Sequence, residues 1–314
     1  MPCFDRRRAA STCTGPWVDA VLPGLYPLAV GGGLAVYLIC QSAGGPTATA
    51  LTVWSALMLA LVAGLERLRP FEPRWRRPEA GASIWADGLS AAVLLGVLEP
   101  LLKAGLPLLA EVLRERLPGV GHWPLVGAPL AWQILAALLW MECAKYGSHR
   151  LHHEWRGLWA LHAMHHAPAR LYWLNNLRFH PLNHLLNSAA SLLPLLLMAV
   201  PAEVLLGVLA LTQPVLILQH ANVRTRNGWL NAVLSTNEAH RWHHGAHPSE
   251  AHSNYGSALL LWDHVFGTYR AADAHSRPRA VGLFDTSAHY PAHGSYLQQL
   301  LAPLLPPCCR ASAS

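Results

Sequence analysis

The stretch LAWQILAALLWMECAKYGSHRLHH, residues 130–153, changes character within what reads as one continuous helix. It is mostly apolar to Met141 and then closes on His149, His152 and His153. Residues 124 to 144 approach the ~20 apolar residues that cross a hydrocarbon layer. The helix therefore carries its histidines just beyond a span, with His149 and His153, spaced i and i+4, on one face and His152 turned aside as a spare. Two later stretches repeat the pattern, His162, His165 and His166 in HAMHH and His240, His243 and His244 in HRWHH. A single zinc site uses about four ligands, so eight candidate imidazoles from three segments fit two metal ions better than one. Imidazole suits iron, zinc, copper and nickel alike, so spacing leaves the metal's identity open.

The composition places these clusters at a membrane. The chain is 53% hydrophobic and 13% charged. Besides 124 to 144, residues 22 to 41, 49 to 65 and 84 to 107 are long enough to span. Leu185 to Leu218 is also apolar, but Pro194, Pro201 and Pro214 predict a hairpin of two helices rather than one. The fold class is therefore all-α: an integral-membrane helical bundle of about four spanning helices plus an apolar hairpin, capped by a cytoplasmic helical layer that carries the histidines. Arg6, Arg7 and Arg8 before the first span, and Arg67, Arg69, Arg74, Arg76 and Arg77 after the second, put those ends in the cytoplasm. Counting spans onward brings all three histidine clusters to that face, with the loop carrying Lys103, Arg114 and Arg116 outside. We expect residues 1–20 to be disordered, 21–270 to form one domain with its histidine core at 140–270, and 271–314 to be a tail whose Tyr296 to Leu305 portion lies on the membrane.

The net charge of +6 reads as topology arginine. No basic strip interleaved with aromatics marks a nucleic-acid partner. The six cysteines contain no CxxC pair, which argues against a disulfide framework or zinc knuckle; Cys308 and Cys309 could carry a lipid. His180 in RFHP and His220 in LQHAN lie near membrane boundaries, where further ligands would be useful. Ligand histidines need an acceptor on their other nitrogen, and Glu142, Asn222, Glu238 and Asp263 are the candidates for that role. Glu142 could instead pair with Lys145. Asn254, Tyr255 and the run that follows predict a turn closing the site, with Gly256 and Gly267 giving it backbone freedom.

Taken together, YGSHRLHH, LWALHAMHH, LRFHP, LQHAN, EAHRWHH and NYGSALLLWDHVFGTY, in that order between Trp140 and Arg270, resemble the fatty acid hydroxylase/sterol desaturase superfamily of integral-membrane di-iron enzymes. The resemblance implies that His149, His153, His162, His165, His166, His240, His243 and His244 ligate two ferrous ions, with His180 and His220 as additional ligands. It implies O2 as cosubstrate and an external electron donor, a ferredoxin or b-type cytochrome with its reductase, since no dinucleotide fingerprint is present. The chain departs from the pattern at Glu142, where many members have Asp, and at His264, where they have Arg. The expected activity is hydroxylation of a fatty acyl chain, sterol or related lipid drawn from the bilayer, in a bacterial inner membrane. Desaturation at the same centre is the near alternative. A histidine-rich metal transporter and a membrane haem protein are alternatives of other classes, though a transporter would place its ligands along the spans.

Overall fold

The computed structural model describes residues 22–76 and 84–304. Twelve α-helices are present among them: α1 (Leu25–Ala43), α2 (Thr47–Leu68), α3 (Ile84–Val93), α4 (Glu99–Arg116), α5 (Leu130–Glu154), α6 (Arg156–His166), α7 (Pro181–Leu197), α8 (Ala202–Gln219), α9 (Asn237–His243), α10 (Pro248–Ala251), α11 (Leu261–Phe266) and α12 (Tyr296–Leu301). The described residues form no sheet, only isolated bridges such as Pro70 with Val223 and Gly245 with Val281. The expected disorder of residues 1–20 and the cysteines at 308 and 309 lie outside the described residues.

Four helical stretches are long and apolar enough to cross a membrane: Leu22–Ala43, Thr47–Leu68, Ile84–Arg116 and Ala202–Gln219. The third joins α3 and α4 through a π-helical turn, Leu94–Leu98. It continues past the expected end at 107, so Lys103 stands on the helix and not in an outer loop. The helix bearing the first histidine cluster is not among the four. Residues 124–129, with Pro124, Gly127 and Pro129, form turns, and α5 begins only at Leu130. It then carries Gln133, Glu142, Lys145 and three histidines. The proline-rich apolar region does form two helices, α7 and α8, which turn at Ala199 (φ 57°) and Pro201.

Packing assigns the ends of the bundle. Leu25 at the start of α1, Val62 and Leu65 at the end of α2, Leu218 at the end of α8, Ala221 and Val223 share one core cluster. Trp123, Leu138, Leu195, Val200 and Val204 make another at the opposite end, around the α7–α8 turn. The histidine clusters, the α1 start and the basic α2 end therefore share one end of the bundle, as the arginine pattern requires.

That end is capped from both sides of the sequence. The connector after α2 packs on the chain after α8, where Phe71 donates its backbone N–H to Asn222 (3.1 Å). Among the described residues, those from 272 to 304 pack back onto the histidine end. Gly282 donates to the carbonyl of His244 (3.1 Å), and Phe284 stacks on Trp159 with ring centroids 4.5 Å apart. On α12, Tyr296 and Gln299 turn inward while Leu297 and Leu301 face out, an apolar outer face such as the amphipathic reading anticipates.

Candidate metal centre

Local backbone geometry brings the clusters together. Trp155 is extended (φ −104°, ψ 119°), so α5 stops after His153 and α6 sets off in a new direction, carrying its own histidines back toward the first set. His220 ends α8, and Thr236 caps α9 by accepting from the Ala239 N–H (3.3 Å).

Nine histidines converge into two groups. His149, His153, His162, His166 and His243 form one, and His165, His220, His240 and His244 the other, with the ligand atoms of each group within 4.8 Å of one another. The HxxHH spacing divides its residues between them. In α6 the i, i+4 pair His162 and His166 enters the first group, and His165 crosses to the second. In α9 the pair His240 and His244 enters the second, and His243 crosses to the first. Successive residues turn by about 100° on a helix, so i and i+4 nearly overlay, whereas i+3 falls some 100° short of i+4. The groups touch where His166 stacks on His244, centroids 4.3 Å apart.

His180 joins neither group. It caps α7, its Nδ1 accepting from the Leu182 N–H (3.1 Å), and its Nε2 lies 3.2 Å from the Leu300 carbonyl. His152, the spare, bonds the Ser148 carbonyl through Nδ1 (2.7 Å), and its Nε2 has no partner.

The acceptors that hold the rings are not the anticipated carboxylates. Nδ1–H of His149 donates to the Tyr255 carbonyl (2.8 Å), that of His165 to the Arg178 carbonyl (3.1 Å) and that of His243 to the Ser253 carbonyl (3.1 Å). His162 bonds Oδ1 of Asn183 (2.9 Å). None of Glu142, Asn222, Glu238 and Asp263 bonds a histidine in the two groups; they fix the loops that present them. Glu142 accepts from the Ala258 and Leu259 N–H groups (2.7 Å each) in place of pairing with Lys145. Asn222 bonds the backbone of Glu72 in both directions. Glu238 accepts from Arg226 N–H (2.7 Å) and Asn231 Nδ2 (2.7 Å). Asp263 accepts from the N–H groups of Tyr255 and Gly256 (2.8 and 2.7 Å) and thereby aims the Tyr255 carbonyl at His149. The anticipated turn is there. At Gly256 a Cβ would stand 2.1 Å from the Leu259 carbonyl oxygen, so close approach demands the glycine, while Gly267 ends α11 at φ 73°. His264, where an arginine was expected, bonds the Ala232 carbonyl (2.8 Å).

Asn183 had no signal in the sequence beyond its place three residues after His180. Its replacement by leucine is expected to weaken metal binding in the first group about 10- to 100-fold and to leave the second unchanged. Titration against a competing chelator checks this: a change of similar size in both groups would count against separate roles.

The donor set fits metal ions. A carbonyl only accepts, so Nδ1 of His149 carries the proton and Nε2 keeps its lone pair. The same holds for His162 with Asn183 Oδ1 facing it. Their Nε2 atoms nonetheless face each other at 3.1 Å, a lone-pair contact that a cation between them relieves. His244 Nε2 faces Nε2 of both His220 and His240 at 3.0 Å. Both nitrogens of His153 and His166, and Nε2 of His243, are buried with no hydrogen-bond partner. Burial also pushes every one of these imidazoles toward the neutral form, His149 down to about 4 and His220 down to about 3. Neutral imidazole is the metal-binding form.

Fold and site together define an integral-membrane helical protein with two adjoining histidine groups able to hold metal at one end of the bundle. Residues 134–268 match the family model described as fatty acid hydroxylase, and the chain belongs to that family. An ornithine lipid hydroxylase of Rhizobium tropici is 34% identical over 229 residues, 70% of this chain and 66% of that protein. Alkylglycerol monooxygenases of Danio rerio and Homo sapiens are 31% and 30% identical over 142 and 140 residues. These matches take in 44% and 45% of this chain, and the chain spans only 31% of each animal protein's length. No solved structure matches the chain.

Proposed function

We propose that the protein is an O2-dependent lipid hydroxylase that holds two iron ions in its histidine groups. The observation that carries this reading is the pair of adjoining all-histidine groups at the end of an apolar bundle. His149, His153, His162, His166 and His243 would hold one ion, and His165, His220, His240 and His244 the other. Iron held by imidazole supplies O2 activation when bound, inserting one oxygen atom into a C–H bond while the other leaves as water. The balance needs an electron pair and two protons from an external donor, a ferredoxin or b-type cytochrome with its reductase.

The chain's own part is positioning and exclusion of water. The Tyr255, Arg178 and Ser253 carbonyls keep protons on the outer nitrogens of His149, His165 and His243, so that the inner ones face the groups. Phe284 and Trp159, 1% and 0% exposed, cover the first group from the capping side. The apolar bundle that carries the groups suits a membrane lipid as substrate, and the basic α2 end suits a site facing the cytoplasm of a bacterial inner membrane. The relatives' activities on ornithine lipid and alkylglycerol support hydroxylation over desaturation. Ligands gathered beyond the span ends, and not along them, disfavour transport.

The test is mass spectrometry of lipids from aerated cells with and without the protein. One lipid class should gain a single oxygen atom, and stripping the purified protein with a chelator should abolish the activity until ferrous iron is restored. Unchanged lipids in the presence of a competent reductase, with iron bound, would overturn the reading.

A further inference from the structure

Two segments roof the second histidine group, and their outer face is arginine. The chain after α11 returns across α9. Ala246 donates to the Ala280 carbonyl (2.9 Å), Gly282 to the His244 carbonyl (3.1 Å), and Trp242 Nε1 to Ser276 Oγ (3.4 Å). Along this strap Pro278 turns in, while Arg277 and Arg279 turn out. The connector after α2 lies beside it, where Asn222, two residues past His220, bonds the Glu72 backbone in both directions (2.9 and 3.0 Å). Arg74 of the connector and Arg277 of the strap share the Glu72 carboxylate (3.1 Å each), and Arg279 stands 3.8 Å from Glu250. The carboxylates lie beneath, 12% and 10% exposed, whereas Arg74, Arg277 and Arg279 are 83%, 60% and 81% exposed. Arg224 and Arg226 are exposed just past the bridge of Pro70 with Val223. In the segments 69–76, 222–226 and 272–282 the one exposed acid is Asp273.

Membrane topology does not ask for this face. Positive-inside placement concerns basic residues within about 15–20 residues of a span end, and Arg277 and Arg279 come far beyond the last span, which closes at Gln219. A surface that rests on lipid pairs its basic residues with apolar ones. No large apolar side chain of the three segments is exposed; at this end such residues gather on α11 and α12, at Val265, Phe266, Leu297 and Leu301. Beneath the arginines a stack of rings leads inward. Trp75 packs on Phe71 (centroids 6.4 Å), Phe71 lies under the Arg241 guanidinium (3.5 Å), and Arg241 follows His240 of the second group.

We propose that this face docks an acidic one-electron carrier protein, whose electrons enter through the second histidine group. This rests on the lipid hydroxylase reading, which draws an electron pair from outside, and names the surface that receives it. Each encounter oxidises the carrier by one electron and reduces iron held by His165, His220, His240 and His244. Two encounters supply the pair, and the two protons come from solvent. Complementary charge steers such encounters and makes them sensitive to salt.

Binding is measured on the zinc-loaded full chain in an uncharged detergent, so that turnover plays no part. The probes are an acidic plant-type [2Fe–2S] ferredoxin and phosphatidylglycerol. Ferredoxin should bind saturably and weaken steeply as salt rises. The double variant Arg277→Gln, Arg279→Gln should bind it about tenfold less tightly, with metal content and melting temperature unchanged. Where that variant folds poorly, Arg224→Gln, Arg226→Gln takes its place. A charge-matched control, Arg114→Gln, Arg116→Gln, lies at the opposite end, where Arg114 bonds the Leu196 carbonyl, and should bind as wild type does. Absence of saturable binding, or an equal loss in the control, overturns the proposal. So does a variant that loses phosphatidylglycerol and keeps ferredoxin, which gives the face to the membrane. Anaerobic mixing of reduced ferredoxin with oxidised, iron-loaded protein locates the entry point. His240→Ala should bind ferredoxin normally but accept electrons at least about tenfold more slowly, whereas His166→Ala should accept them at nearly the wild-type rate; the reverse order defeats entry through the second group. Docking and reduction without lipid hydroxylation would uphold the surface and defeat the catalytic reading, so the two failures are distinguishable.

Discussion

His166→Ala is expected to lower lipid hydroxylation at least about a hundredfold while leaving the metal-free fold almost untouched. Losing an outer partner of a ligand already costs 10- to 100-fold in metal affinity or activity, and His166 stands inside the first group itself. Its ring is wholly buried, neither nitrogen has a hydrogen-bond partner, and it packs against His153, His162, His243 and His244. Each unpaired buried polar atom costs roughly 1–3 kcal/mol without metal. Truncation removes two such atoms and leaves a cavity, effects of opposite sign and similar size. The metal-free melting temperature should therefore shift little. A metal-loaded sample should behave differently, because a ligand that binds only the folded state stabilises it by mass action. The variant should lose most of that increment and, in elemental analysis, most of the metal of the first group. If instead the metal-free protein melts far lower and metal content holds, His166 is a packing residue and the assignment of the first group is wrong.

What could be read in the sequence and what could not divide along a physical line. The histidines of the two groups announce themselves because helical periodicity is local: the i, i+4 pairs of HRLHH, HAMHH and HRWHH follow from a turn of helix alone. The same rule hides which residues share a group, since that depends on how α6 and α9 face each other. His165 and His243 cross to the opposite group only once both helices are placed. Acceptors were harder still. Three of the four that hold the clustered rings through Nδ1 are backbone carbonyls, a group every residue possesses, so no side-chain pattern can reveal them. The carboxylates looked like obvious partners, yet Glu142, Glu238 and Asp263 are used one step further out, on the N–H groups of loops. The fourth span misled for a different reason: hydrophobicity counted from residue 124 ignored two prolines that delay the helix to Leu130.

The contact least visible in the sequence predicts the largest loss of stability. Asp87 in α3 and Arg178 in the segment before α7 are 91 residues apart in the chain and form an ion pair with each side chain only 4% exposed. Tyr172 also donates to Asp87, and Arg178 reaches the Met164 carbonyl through Nε (3.0 Å) and Gln299 of α12 through Nη2 (2.5 Å). One guanidinium thus ties a spanning segment, a histidine helix and the C-terminal cap, while the Arg178 carbonyl accepts from His165. Removing one member of a buried pair strands the other and costs about 3–5 kcal/mol. Arg178→Met is accordingly expected to lower the melting temperature by roughly 6–20 °C. By displacing the carbonyl that holds His165, it should also weaken metal binding in the second group more than in the first. The double variant Asp87→Ala, Arg178→Met leaves no stranded charge, so it should recover part of the stability but not the metal affinity. Differential scanning fluorimetry with chelator titration separates the two effects. A double variant no more stable than Arg178→Met would show that the pair matters for packing alone, and equal losses in both metal groups would remove the link through His165.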